Sequence, residues 1–341
     1  MLFESRREEI SRQAKLCSFP LIDADSMAIW EIISLVVYGA TILLGLPSNI
    51  LALYIFYCRA RIRLTPNLIY MINLCLSDLV FILFLPLKML EKGKMDWTMP
   101  GFLCPLYNLI HFGTIYTSAC FLTAVSAGRF LGAVYPLHYQ AYKKPCYSCL
   151  VSVGIWSLVG FHGVLLFALE TSRDTNSSLF TGNSSSCYHN FSEDQLALLV
   201  PVRLELSVVL FFLPLLITAF CYAGCIRVLV GSHLHLRKKR RAVRVAVATL
   251  TVFVLCFSPY NISHVVGFIY GEDVWWRTVA LLPSACNAFL DPLIFYFLSS
   301  AMDDGIAQVW RSLREKYSSI RMKIVLAHGK AKTQQGDSGI A

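Results

Sequence analysis

Three side chains that carry or can carry positive charge sit in stretches otherwise built for hydrocarbon. Arg203 lies near the start of a long apolar run, residues 196–230, rich in Leu, Phe and Val; His264 and Arg277 lie near the ends of two further runs. A guanidinium at the centre of a membrane helix costs roughly 2.5 to 3.5 kcal/mol on insertion scales, so it should face protein or water and meet an anion. Two readings stay open. Arg203 either snorkels to the head-group layer or pairs with Glu205 or Glu170, or it joins Arg277 and His264 in one layer as an anion pocket. A carboxylate would suit such a layer, because its two oxygens match the guanidinium fork and charge-assisted hydrogen bonds are about twice as strong as neutral ones. Glu205 and Glu170 would then neutralise the arginines before an acid arrives, since unpaired buried charges are costly.

The elements that must position these residues follow from composition. Hydrophobic residues make up 56% of the 341 and charged residues only 15%, well below the roughly 25% charge of soluble proteins. Seven apolar runs are long enough, at about 20 residues each, to cross the hydrocarbon core as helices. The net charge of +9 is carried largely by loops between the runs, which is how cytoplasmic loops orient a membrane protein and not a nucleic-acid surface. The expected fold is an all-α integral membrane bundle of seven helices. Twelve cysteines are scattered without metal-ligand spacing, most of them as small apolar packing residues.

In chain order, residues 1–27 read as an external tail, 28–300 as the membrane domain, 301–319 as an amphipathic eighth helix and 320–341 as a disordered cytoplasmic tail. The spans are expected at about 27–57, 66–90, 102–134, 146–169, 196–230, 242–270 and 275–298. Arg59, Arg61 and Arg63 mark the inner end of the first, Lys143 and Lys144 the second inner loop, and the run Arg237-Lys-Lys-Arg-Arg241 the third, near anionic lipid or a partner. Sequons at Asn176, Asn183 and Asn190 place the loop after span four outside. A fourth match, Asn261-Ile-Ser263, falls in span six and is expected to go unused. Lys88, at the outer end of span two, reads as a snorkelling residue.

Asn49, Asp78, Arg129, Trp156, Pro214, Tyr222, Pro259 and Asp291-Pro292 to Tyr296 fall one set to a span. In that register the chain resembles a rhodopsin-like G-protein-coupled receptor over about residues 28–317. Within that superfamily it resembles the free fatty acid receptors. Ser126-Ala-Gly-Arg-Phe-Leu-Gly-Ala, the stretch from Leu137 to Tyr147 and Leu210-Phe-Phe-Leu-Pro-Leu are similar to the medium- and long-chain member. Cys187-Tyr-His-Asn-Phe, Pro201-Val-Arg-Leu-Glu-Leu, Pro259-Tyr-Asn-Ile-Ser-His264 and Trp275-Trp-Arg277 are similar to the short-chain members. His264 favours the short-chain reading, since the long-chain receptor resembled here has an asparagine at that place; Phe112 favours the other.

The resemblance implies a carboxylate site of Arg203, Arg277, His264, His162, Tyr116 and Tyr260, with Glu205 beside it. It also implies a Cys104–Cys187 disulfide, a sodium site or a water-filled polar network at Asp78, Ser118, Asn287 and Asp291, and coupling through Arg129, Tyr222 and Tyr296. The implied partners are a free fatty acid, heterotrimeric G proteins of the inhibitory (Gi/o) and phospholipase-activating (Gq) classes, and arrestin, at the plasma membrane. Gly128 replaces the acidic neighbour that usually restrains the arginine at position 129, so elevated basal signalling is expected. Phe257 stands where many relatives have tryptophan, and no cysteine follows Cys286 to anchor an eighth helix.

Two rival classes are weaker. A carboxylate transporter would also bury arginines, but internal repeats and paired interrupted helices are not visible. An enzyme needs a nucleophile with its base, a metal cluster or a phosphate loop, and none stands out; Ser118 and His111, seven residues apart, read as packing. No cofactor is expected.

Overall fold

The computed structural model describes residues 24–94, 100, 103–142, 144–171, 193–232, 236–271, 274–298 and 314. The eighth-helix segment other than Arg314, the three sequons of the outer loop and Cys187 lie outside the described residues, as do the side chains of Glu170 and Tyr296.

Among the described residues, seven helices are long and apolar enough to cross a membrane. Span one is α1 (Ala24–Ile62), span two α2 (Pro66–Lys94) and span three α3 (Leu103–Val134). A short α4 (Pro136–Tyr142) follows, then span four, α5 (Pro145–Thr171). Span five is α6 (Glu193–Ser207), a π-helical turn (Val208–Phe212) and α7 (Leu213–Gly231). Span six is α8 (Leu236–Tyr270), and span seven is α9 (Arg277–Ala280) continued by α10 (Leu282–Leu298). The helices α4, α5 and α10 carry proline in the first turn, where a missing N–H costs nothing. Gly271, at φ 70°, closes span six in the left-handed conformation that glycine adopts without strain. Span six begins several residues earlier than the apolar run does, because its basic start extends the helix beyond the hydrocarbon-length stretch.

Span three is the axis. Of its most apolar window 61% is buried, against 11% for span four, which therefore lies on the outside of the bundle. The main core joins Tyr116, Phe121 and Leu122 of span three to Phe211, Phe253 and Phe257 of spans five and six. A second core of Tyr38, Phe81, Leu85 and Leu282 joins spans one, two and seven.

Lipid tails are as apolar as these side chains, so close backbone approach and interhelical hydrogen bonds must select the packing. Asn49 Nδ2 donates to the Ala288 carbonyl (2.6 Å), Trp156 Nε1 to Asn73 Oδ1 (3.0 Å), and Thr41 Oγ1 to the Ala285 carbonyl (3.3 Å). Towards the C-terminal end of span five, Gly224 receives the Phe130 ring of span three so closely that a Cβ there would collide with it. In span five, Pro214 removes a donor from the helix ladder, and the chain answers with the π turn, closed by the Leu213 N–H on the Val208 carbonyl. Such bulges are frequent at functional sites, and this one begins just below the anomalous arginine.

Candidate functional site

Arg203 lies four residues before Ser207, on the stripe of span five that turns inward with Leu199, Leu206 and Leu210. It is only 3% exposed, so the structure removes the snorkelling alternative. Arg277, 7% exposed, opens span seven and leans onto span six: its Nε lies 3.4 Å from Ser263 Oγ and its Nη2 3.5 Å from the Ser263 carbonyl. His264, the next residue, is buried and close enough to feel both guanidinium charges. Its Nδ1 has no hydrogen-bond partner among the described residues. Spans five, six and seven thus bring Arg203, His264 and Arg277 into one buried layer.

Beneath this layer runs a ladder of rings. Tyr260 sits one helical turn before His264 and meets it edge-on at 4.4 Å between centroids. On its other side Tyr260 stacks on Phe112 of span three, 5.5 Å away and 7° from parallel. Phe112 in turn lines a small apolar cavity of about 30 Å³ between spans three, four and five. Leu109, Gly113, Val159, Gly163, Leu166, Leu206 and Leu210 form most of its wall.

The expected ligand residues therefore divide. Arg203, His264, Arg277 and Tyr260 lie on the cation side of the rings, whereas Tyr116 and His162 line the cavity. His162 Nε2 faces Glu205 Oε1 at 3.3 Å and its Nδ1 faces the Leu158 carbonyl at 2.8 Å, so Glu205 reaches across from span five to span four. The Glu205 side chain is about half exposed, pointing away from the inward stripe that carries Arg203, two residues earlier.

Asn261 is a junction that the sequence presented only as an idle sequon. Fully buried, its Oδ1 accepts from Ser207 Oγ (2.7 Å) and from the Tyr116 hydroxyl (3.4 Å), while its Nδ2 donates to the Phe257 carbonyl (2.9 Å). Spans three, five and six meet on that one amide directly below the cations. Lys88 also departs from expectation. It does not snorkel: it is 8% exposed and paired with Glu91 at 2.6 Å, above the Tyr107 ring. The signal available was a carboxylate three residues on, one helical turn away.

Lower in the bundle, Asp78, Ser118, Asn287 and Asp291 are all buried. Asn287 Nδ2 donates to Asp291 Oδ2 (3.0 Å) and Ser118 Oγ lies 3.4 Å from Ser77 Oγ. Asp78 Oδ2 and Asn287 Oδ1 have no hydrogen-bond partner among the described residues, and the two aspartates are near enough to repel. An all-oxygen set with unsatisfied lone pairs fits a hard monovalent cation such as sodium. At the end of the bundle away from the cations, Arg129 Nη1 donates to the Tyr222 hydroxyl at 3.4 Å. Cys104 is disulfide-bonded, and nine other described cysteines are free.

The arrangement places a buried cation layer at one end and an arginine–tyrosine contact at the other, with the Asn261 junction and the polar cluster around Asp78 and Asn287 between them. The family of seven-transmembrane receptors of the rhodopsin type matches residues 48–295. Human G-protein coupled receptor 42 is 43% identical over 287 residues, 83% of this chain and 81% of its own length. Human free fatty acid receptor 3 is 42% identical with the same coverage. Rat free fatty acid receptor 1 is 40% identical over 292 residues, 83% of this chain and 96% of its own. These relatives are receptors and not enzymes, and the seven-span fold makes the chain a multi-pass membrane protein. The chain belongs to the free fatty acid receptor family of rhodopsin-like G-protein-coupled receptors.

Proposed function

We propose that this receptor is activated by short-chain carboxylic acids, whose head group is gripped by Arg203, Arg277 and His264 near the extracellular side. The observation that carries this reading is the convergence of three buried cationic or cationisable side chains from spans five, six and seven, one of them with an unsatisfied ring nitrogen. Two guanidiniums offer the paired donors that a carboxylate accepts best. The Phe112–Tyr260 stack closes the layer on the side of the apolar cavity, which favours acids small enough to stay on the cation side. A ligand of about four to six heavy atoms gains at most roughly 6 to 9 kcal/mol, so tens of micromolar is the best case for the smallest acids. Such a receptor reports abundant metabolites.

The second reading, a receptor for medium- and long-chain acids, draws on the cavity itself. Its apolar wall would flank an acyl chain if Phe112 and Tyr260 parted and the cavity widened, with Tyr116, His162 and Glu205 beside the chain. In either case binding would be relayed to a heterotrimeric G protein, of the inhibitory or phospholipase-activating class, through Arg129, Tyr222 and Tyr296, with arrestin as a further partner. Sodium at Asp78, Ser118, Asn287 and Asp291 would supply the charge that separates the two aspartates. The N-terminus is outside, with Cys104 bridged to Cys187, sugars on Asn176, Asn183 and Asn190, and the C-terminus, with helix 301–319 on the inner leaflet, in the cytoplasm.

The test is a concentration series of linear acids from two to sixteen carbons, read as guanine-nucleotide exchange in membranes from cells expressing the chain. A maximum at two to six carbons supports the first reading and a maximum at ten or more the second. Saturable acid uptake by sealed vesicles without nucleotide exchange would overturn both and point to transport.

A further inference from the structure

The inner end of span three lacks the acid that ordinarily sits beside a coupling arginine, and the structure shows what fills its place. The Asn67 carboxamide, from the first turn of span two, lies so close over Gly128 that a Cβ at 128 would collide with its Oδ1. That oxygen is buried and has no hydrogen-bond partner among the described residues. A buried acceptor left unsatisfied is costly, so a second arrangement in which it is used is to be expected. The nearest strong donor in sequence is the guanidinium of Arg129, the residue after Gly128. Arg129 has no carboxylate within ion-pair distance among the described residues, and its one described hydrogen bond is the long one to Tyr222. An acidic side chain at 128 would put its first atoms where the Asn67 oxygen now stands, so the amide occupies the space such an acid would need.

We propose that Asn67 is the positioning residue for Arg129. Its oxygen accepts from the guanidinium in the resting receptor and gives it up to Tyr222 when the receptor couples. Span two thus supplies across the helix interface the acceptor that Gly128 cannot carry. The acceptor is a neutral amide, so it holds the guanidinium less firmly than a carboxylate does, and the resting state is only partly enforced. The inference rests on the reading that Arg129 contacts the G protein.

The test compares the full-length receptor with Asn67→Asp and Asn67→Leu at matched surface density. It reads ligand-free nucleotide exchange and the further exchange evoked by propionate and by decanoate. A carboxylate at 67 sits favourably near a helix N-terminus, so the Asp variant should fold and should lower ligand-free exchange about threefold or more. The Leu variant, of similar size without an acceptor, should raise it by a similar factor. A purely structural role would move both variants in the same direction, and that result, or basal exchange unchanged in both, overturns the proposal. Should the Leu variant fail to reach the surface, the fall in the Asp variant alone decides. If Arg129→Ala leaves acid-evoked exchange intact in the parent, the coupling reading fails and takes this assignment with it; if that exchange is lost while the position-67 variants stay flat, only the assignment fails.

Discussion

Removing either guanidinium should reduce acid potency by one to two orders of magnitude. Arg203 and Arg277 are both nearly excluded from solvent, so a carboxylate held between them exchanges hydrogen bonds in a dry layer, where bonds to charged groups are worth about 1.5 to 3 kcal/mol each. At 1.4 kcal/mol per tenfold, Arg203→Ala or Arg277→Ala shifts the half-maximal concentration of propionate by about 10- to 150-fold. Starting from tens of micromolar, that is roughly hundreds of micromolar to several millimolar. Arg203→Lys keeps the charge but loses the planar fork, so it should fall between parent and Ala variant. The assay is nucleotide exchange over propionate concentration in membranes matched for surface receptor, with the ligand-free level recorded to show that the coupling end is intact. Both Ala variants responding within threefold of the parent would refute the reasoning, since no carboxylate could then lie between those side chains.

Three further outcomes follow from other parts of the bundle. Phe112→Ala opens the partition between the cation layer and the cavity, and should move the preferred acid towards longer chains by several carbons in the same assay. Asp78→Asn removes the charge that a sodium ion would neutralise; the parent's propionate potency should depend on sodium against an equimolar potassium control, and the variant's should not. Gly224→Ala drives a methyl into the Phe130 ring, and overpacking of this kind costs about 1 to 3 kcal/mol, so the purified receptor should melt several degrees lower.

The sequence announced the spans because hydrocarbon thickness sets a length that seven runs meet. It also announced the cations, because a guanidinium in an apolar run is conspicuous whatever its partner. Which helix faces meet was harder to read. A helix in lipid is apolar all round, so periodicity does not mark its buried stripe as it would in water. Hence nothing before the structure separated Arg203, facing inward, from Glu205, turned towards His162. The Phe112–Tyr260 stack and the Asn67–Gly128 contact join residues from different helices, and one chain read alone carries no record of such pairs. The π turn went unread: Pro214 entered only as a marker of span five, although a proline removes a donor from the helix ladder.

The Asn261 amide bears on how strongly, and not merely how tightly, a ligand acts. Its single acceptor oxygen is shared by donors from two other helices, so span six cannot rotate by a fraction and keep both. It holds the pair or surrenders it, which makes the movement below the acid stepwise. Acids of equal affinity that pull differently on His264, one turn above, would therefore populate the released state to different extents and divide into full and partial agonists.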